Sequence, residues 1–476
     1  MRTAPKWLGR VVPLLAATAL LTASAATPAQ AKADPAFDDT YFVMQHNTYD
    51  AGDSLTGWLD SGFRSVELDV IDRGDWAANP AGPYISHNGT TGDFNCSGNP
   101  DRLGDCLNDL AGWQANHPGS GPLLVFVDLK PSWNPAFAWG AEDFEKLDRK
   151  IAEILGERLF PADELYRFAA REPYSKGGTP LRKAVADSGW PTLSQIGDRM
   201  VVAYTGSKFG SLTNKAQSKG LDRILAQGKL PAGFFCPDAS KDPNELDPWD
   251  TMKGMSETAS EQVVCSNIES RDHYEKVAER AADLNQLTHL YGGHVFGNES
   301  YTYNYIAISH GITAIGRDAT GPEDTFGGKF PLVGVSRSVP GQFQVQTSKL
   351  TKKCMAVEKA GTKKGAKLIS EKCSKADAQR FVYTAEGQLR PKHAEKMCVD
   401  INGSKAKAGA KIELGRCDGG ATEKWQITAD GKFQSYANPS FCLAKPALLG
   451  SQLSVEKCRD LPTQRFDLKA VPNWVR

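Results

Sequence analysis

After Ala26 the chain has no apolar run long enough to span a bilayer, which excludes a helical membrane anchor in the body of the protein. Its ten cysteines include no CxxC pair and no cysteine–histidine cluster, so a structural zinc site is excluded. Basic residues are nowhere interleaved with aromatics, the pattern that grips single-stranded nucleic acid, and no nucleic-acid partner is expected. Net charge is lacking too, since 56 Lys+Arg balance 56 Asp+Glu. That neutrality joins two opposites. Residues 1–341 carry 31 basic and 43 acidic side chains, a net of −12, whereas residues 342–476 carry 25 and 13, a net of +12. An acidic part is followed by a basic one.

What is present begins with an export signal. Arg2, Lys6 and Arg10 precede the apolar stretch Val11–Ala26, and Ala29-Gln30-Ala31 offers a small-residue cleavage site, so residues 1–31 read as a signal peptide and the protein as secreted. All ten cysteines follow it. In an oxidising compartment an even count in neighbouring pairs reads as disulfides: Cys96–Cys106, Cys236–Cys265, Cys354–Cys373, Cys398–Cys417 and Cys442–Cys458.

Candidate chemistry concentrates in four segments: Gln45–Tyr49 (QHNTY), Ser65–Val70 (SVELDV), Ile85–Thr90 (ISHNGT) and Leu123–Lys130 (LLVFVDLK). In the second, the two-residue period of a strand sets Glu67 and Asp69 on one face and Val66, Leu68 and Val70 on the other. Two carboxylates on one face repel unless a positive charge lies between them. In the fourth, Leu123–Val127 is apolar enough for a strand buried on both faces, and Asp128 and Lys130 share one side near its end. Alone, an ExD pair is most often a solvated face. Here His-Asn, Glu-x-Asp, His-Asn-Gly and Asp-x-Lys each end a strand-like run within one region. Oxygen ligands from Asn47, Glu67, Asp69 and Asp128 suit a hard cation, Ca²⁺ or Mg²⁺, leaving His46 and His87 free for proton transfer.

QHNTY, VELDV and SHNGT resemble the X-region motifs of the calcium-dependent phosphatidylinositol-specific phospholipases C, over about the first third of the chain. The resemblance implies an incomplete, TIM-like (β/α)₈ barrel in an α/β fold. In it His46 steadies the phosphoryl oxyanion, His87 protonates the departing diacylglycerol oxygen, Asn47, Glu67, Asp69 and Asp128 hold Ca²⁺, and Glu67 or Asp128 is the base. VFVDLK departs from that pattern, since those lipases bring a glutamate there. With Asp128 and with Lys130 as a point charge for a phosphate oxygen, it is more like the sphingomyelinase D and glycerophosphodiester phosphodiesterase relatives, as is the Cys96–Cys106 loop. The implied activity is a metal-dependent phosphodiesterase acting on a phospholipid at a membrane surface, as a monomer, with the head group and the choice between Ca²⁺ and Mg²⁺ left open. A silent barrel carrying a binding module is the alternative.

Residues 32–338 have the length of one such barrel. Phe144–Leu159 and His273–Leu287 have helical spacing, while Asp198–Tyr204 and Tyr305–Ile315 read as strands. The stretch between Cys236 and Cys265 reads as a surface loop, Trp133 and Trp139 as packed over the barrel rim, and His289, His294 and His310 as structural.

Residues 342–470 carry an internal repeat. Cys354, Cys398 and Cys442 stand 44 residues apart, and each copy ends in Gln379-Arg380-Phe381, Glu423-Lys424-Trp425 or Gln464-Arg465-Phe466. Copies too small to bury a core singly imply a threefold assembly. The pattern resembles the ricin-type β-trefoil lectins, an all-β domain. The resemblance implies an Asp after the first cysteine of a sugar-binding copy, which only Cys398-Val399-Asp400 supplies. Asp400 and Asn402 are therefore the carbohydrate candidates, with Gly415 standing where an aromatic platform is expected. The charge of +12 points besides to an anionic cell-surface polymer or lipid.

Overall fold

The computed structural model describes residues 34–92, 94–130, 139–206, 213–240, 242–269, 274–291, 306–317, 332–336, 342–348, 352–428, 431–445 and 452–470. The leader read at 1–31, Trp133, His294 and the 339–341 junction lie outside them.

Eight parallel strands form a ring: β1 Thr40–Gln45, β2 Ser65–Ile71, β3 Leu123–Leu129, β4 Met200–Thr205, β5 Phe234–Phe235, β6 Cys265–Glu269, β7 Leu287–Tyr291 and β8 Ala314–Arg317. Their order, 5-4-3-2-1-8-7-6, is that of a (β/α)₈ barrel, with helices such as Leu103–Asn116, Ala141–Leu155 and Asn214–Ala226 in the crossovers. β3 is buried from end to end, as its apolar run requires of a strand covered on both faces. On the outside, Tyr204 Oη donates to Asp148 Oδ1 (2.9 Å), tying the helix Ala141–Leu155 to β4.

The ring closes narrowly between β5 and β6. There Asn267 N donates to Pro237 O and Ala239 N to Asn267 O, each at 2.8 Å, around the single parallel bridge Asp238–Asn267. One rung below, the disulfide Cys236–Cys265 joins the two strands with Cα atoms 4.6 Å apart, the spacing of paired strands. The barrel inferred to be incomplete is thus nearly closed, its seam held by one bridge and a disulfide.

The structure corrects two expectations. Tyr305–Ile315 is not one strand: among its described residues, His310 N donates to Ile306 O and Ala307 O in a helical turn, Gly311 takes φ +94°, and the strand is Ala314–Arg317. A short apolar run does not distinguish a buried helix from a strand. Nor is the Cys236–Cys265 stretch merely a surface loop. Leu246, Met252 and Ala259 are buried in the barrel core, and the fully buried Arg182 donates to Asp250 O (2.9 Å) and Glu245 O (2.5 Å). Trp139 is buried, its Nε1 donating to Lys130 O at 2.9 Å.

The helix Glu275–Asp283 begins on a buried carboxylate. Burial pushes Glu275 up to about 7 from 4.5, against the pull of its own backbone hydrogen bond and of His310. A carboxyl raised on folding binds its proton more tightly in the folded state, so stability falls as pH rises from about 4.5 to 7. Glu275→Gln is expected to stabilise the protein by about 1–3 kcal/mol at pH 8 and to leave melting at pH 4 unchanged, as thermal unfolding at the two pH values will show.

The basic segment folds around a second core that includes Phe343, Met355, Phe381, Val399 and Trp425. Three antiparallel hairpins carry the repeat: Lys353–Val357 with Leu368–Lys372, Met397–Ile401 with Ile412–Arg416, and Asn438–Ala444 with Ser454–Lys457. Each is tied by its disulfide, Cys354–Cys373, Cys398–Cys417 or Cys442–Cys458. The recurring Gln379, Glu423 and Gln464 are buried. Gln379 and Gln464 donate to Lys372 O and Lys457 O (2.9 Å each), and Glu423 accepts from Gly419 N (2.6 Å). The polar residue before each aromatic thus satisfies the backbone where its hairpin ends. This is a β-trefoil.

Candidate active site

β1, β2 and β3 are neighbours, and their C-terminal ends bring the four segments together. Asp69 and Asp128 stand opposite each other in the β2–β3 register, so both face the barrel interior, as does Glu67 two residues earlier. One oxygen from each of Glu67, Asp69 and Asp128 lies within 4.8 Å of the others. After β1, Asn47 adopts the left-handed conformation (φ 50°, ψ 54°), which asparagine tolerates better than most residues. Thr48 Oγ1 donates to Gln45 O (2.6 Å) and accepts from Glu67 N (2.9 Å), and Asn47 N donates to Glu67 Oε2 (3.3 Å). The His-Asn turn is therefore fastened to the Glu-x-Asp strand.

His87 reaches the same place by a hairpin. Tyr84–Ile85 pairs antiparallel with the end of β2, and Ser86 N donates to Asp69 O at 2.9 Å. His87 Nδ1 then lies 2.6 Å from Asp69 Oδ2. That carboxylate is fully buried while the imidazole is half exposed, so the outer ring nitrogen faces the mouth. The rings of His46 and His87 are 6.5 Å apart, centre to centre, at 80°. Lys130 Nζ is 3.0 Å from Asp128 Oδ2 and 3.4 Å from Asp69 Oδ2. Tyr49 Oη donates to Asp69 Oδ2 at 3.3 Å.

The electrostatics follow from packing three acids in a dry space. Burial raises Glu67 to about 7, with His46 and Lys130 pulling it back and Asp69 pushing it up. Burial also raises Asp128, against the attraction of Lys130. For Lys130 burial disfavours the ammonium, but Asp128, Asp69 and Glu67 outweigh it and hold its pKa above the ordinary lysine value. One cation among three acids leaves the group short of positive charge. Asn47 Oδ1, Asp69 Oδ1 and Asp128 Oδ1 are moreover buried without a hydrogen-bond partner. Orphaned oxygens beside an under-neutralised acid cluster suit a hard divalent cation.

Sequence reading missed two parts of this interior. Thr205, opposite Asp128 in the β3–β4 register, buries an unpartnered Oγ1. Across the barrel His289 stacks on Phe126 (4.3 Å) and pairs through Nδ1 with Asn267 Oδ1 (2.8 Å), while Asn267 Nδ2 donates to Asp238 Oδ1 (2.8 Å). Burial, with the nearby His46 and Lys130, pushes His289 down to about 3, so it is neutral and presents the Nε2 lone pair. The available signal was a polar residue at matching positions in CSNIE and LTHLY. His310 bonds Glu279 (2.8 Å), away from these groups.

In the trefoil, Asp400 is partly buried with Oδ1 unpartnered, and Asn402 Nδ2 donates to Glu413 Oε2 (2.7 Å). A side chain at Gly415 would meet the Asp400 carboxylate at 2.3 Å, so the absent platform and the acid beside it are one packing arrangement.

Fold and site together define a (β/α)₈ barrel with an acidic mouth flanked by two imidazoles, joined to a β-trefoil. Comparison with known proteins agrees with both halves. Residues 90–223 match the family of Ca²⁺-dependent phosphoinositide phospholipase C, and residues 341–466 match the ricin-type β-trefoil lectin domain. The first match contains Asp128 and Lys130, while the His-Asn, Glu-x-Asp and His87 segments precede it. No curated protein matches the chain. Similar solved structures include the calcium-dependent phosphoinositol-specific phospholipase C of a Pseudomonas species, with 22% identity over 60% of this chain and 90% of that one (TM-score 0.48). Another is the Ca²⁺-dependent phosphatidylinositol-specific phospholipase C of Streptomyces antibioticus, with 18% identity over 63% and 99% (TM-score 0.49). The C-half of an earthworm R-type lectin, solved with GalNAc, is 18% identical over 28% of this chain and all of its own (TM-score 0.25).

Proposed function

We propose that the protein is a secreted, metal-dependent phosphodiesterase that cleaves the head group from phosphatidylinositol by histidine acid–base catalysis. The observation that carries the reading is the meeting of two imidazoles, Lys130 and three buried acids at adjacent strand ends, and the family match over residues 90–223 supports the substrate class. Five disulfides fit an exported protein.

Each group has a task set by its surroundings. Asp69 fixes the His87 ring through Nδ1, so the outer nitrogen carries the proton for the departing diacylglycerol oxygen as the phosphorus–oxygen bond breaks. His46 and Lys130 donate to phosphoryl oxygens and stabilise the charge that grows there. Glu67 or Asp128 takes the proton of the attacking hydroxyl. Asn47, Glu67, Asp69 and Asp128 would hold Ca²⁺, which when bound lowers the pKa of the attacking hydroxyl and offsets phosphate charge. Incubation with phosphatidylinositol, phosphatidylcholine and glycerophosphodiesters, each with Ca²⁺, Mg²⁺ or chelator, tests the assignment. Release of inositol phosphate only with Ca²⁺ is expected. Turnover undiminished by chelator refutes the metal, and release of choline or glycerol alone moves the reading to the sphingomyelinase D or glycerophosphodiesterase type.

The cluster can be tested without catalysis. Lys130→Met leaves three buried acids unbalanced and should lower stability by about 2–4 kcal/mol in chelator. Millimolar Ca²⁺ should restore most of that loss, because binding to the folded state alone stabilises it. A variant whose melting ignores Ca²⁺ has no cation in the cluster.

A further inference from the structure

The trefoil hairpins carry a repeat within the repeat that fold and catalysis leave unused. Lys363-Lys364-Gly365-Ala366-Lys367 and Lys407-Ala408-Gly409-Ala410-Lys411 are two copies of Lys-x-Gly-Ala-Lys, 44 residues apart. Both sit where a hairpin turns. Gly365 and Gly409 take φ of +88° and +78°, a backbone that favours glycine, and a side chain there would meet open space. Backbone bonds lock the hairpins around the pseudo-threefold axis. Gly365 N donates to Leu414 O and Leu414 N to Ala366 O; Gly409 N donates to Val455 O and Val455 N to Ala410 O; Leu453 N donates to Leu368 O, all at 2.8 Å. Two lysine-bearing turns are thereby brought to one end of the trefoil.

Lys363, Lys364, Lys367, Lys405, Lys407 and Lys411 are all exposed there. Among the described residues none of the six forms an ion pair. Four acids stand within five residues of them, Glu358, Glu371, Asp400 and Glu413; Glu413 lies opposite Lys367 across the strands and accepts from Asn402, and Glu371 accepts from Gln379. Fixing six ammonium groups near one another costs self-repulsion that folding does not recover, and a polyanion would relieve it.

We propose that this cap docks the protein on an anionic phospholipid bilayer, reading the phosphates of many lipids as point charges. The proposal rests on the barrel's assignment to a phospholipid substrate. The first 341 residues carry a net of −12, and −15 without the leader's three basic residues, so an anionic membrane repels the barrel that must work on it. The basic trefoil reverses that repulsion, and the cap is a patch where six lysines outnumber the acids beside them.

The test is sedimentation of the full-length protein with vesicles of phosphatidylcholine alone or with about one third phosphatidylglycerol. Binding should require the anionic lipid and weaken steeply with salt. The charge-reversed variant Lys363→Glu, Lys367→Glu, Lys407→Glu, Lys411→Glu should bind about 100-fold more weakly. A Gln version of the same four positions, less disruptive to folding, should lose at least about tenfold. Turnover of a monomeric short-chain phosphatidylinositol should be unchanged in both, which separates the cap from the barrel's chemistry. Equal binding to neutral vesicles, or anionic binding undiminished in both variants, overturns the proposal. So does retention by a glycerol-phosphate polymer without any vesicle binding.

Discussion

His87→Ala is expected to slow phosphatidylinositol cleavage by about 10³-fold while leaving the melting temperature within a degree or so of the parent. The stability half follows from position. The side chain is half exposed and is held by Asp69, which keeps Tyr49 and Lys130 as donors when the imidazole is gone. The catalytic half follows from the leaving group, because an alkoxide departs poorly without a proton. A phosphodiester of inositol with an acidic phenol needs no such proton, so the variant should recover most of its rate on that substrate. His46→Ala should be equally slow on the lipid and should not recover, since charge on the phosphoryl oxygens develops whichever group departs. Rescue of both variants, or of neither, removes the division of labour between the two imidazoles. Losses confined to KM would make them binding groups.

Why those residues were legible, and others not, has a physical basis. Strands of a parallel barrel are buried on both faces, so a charge is tolerated chiefly where the strand ends, and VELDV and VFVDLK mark their ends by breaking an apolar run. His46 and His87 stand just after such runs, and Asp69 joins one of them to the cluster. Thr205, Asn267 and His289 sit within strands, and their inward orientation appears only once the register with β3 and β6 is known. The same limit explains residues 305–315, where buried isoleucines fit a helical turn as well as a strand. In the trefoil the 44-residue period revealed the threefold plan because each copy must solve one packing problem. The work of Gln379 and Gln464 emerged only with the carbonyls they satisfy.

Spacing also supplied the partners in Cys236–Cys265, but not their place at the seam of the barrel. Replacing both by alanine should destabilise the protein by about 3–4 kcal/mol, the loop-closure value for a 29-residue separation. The loss should be local first. β5 and β6 share one bridge, as do β1 and β2, but the β1–β2 junction is reinforced by the bonds of Thr48 and Asn47 to Glu67, so without the staple the ring opens at β5–β6 before it unfolds elsewhere. Amide exchange at Ala239 and Asn267 should accelerate by two orders of magnitude or so while β3 keeps its protection. Opening the seam also releases Asn267 from Asp238 and hence the ring of His289, which faces the same interior as the acids, and it widens the barrel around them, so activity should fall on warming before the global transition is reached. Removing Cys96–Cys106, which closes a shorter loop outside the ring, should lower stability without that early loss. Uniformly faster exchange over all eight strands would show that the barrel opens as one unit and that the seam is no weaker than the rest.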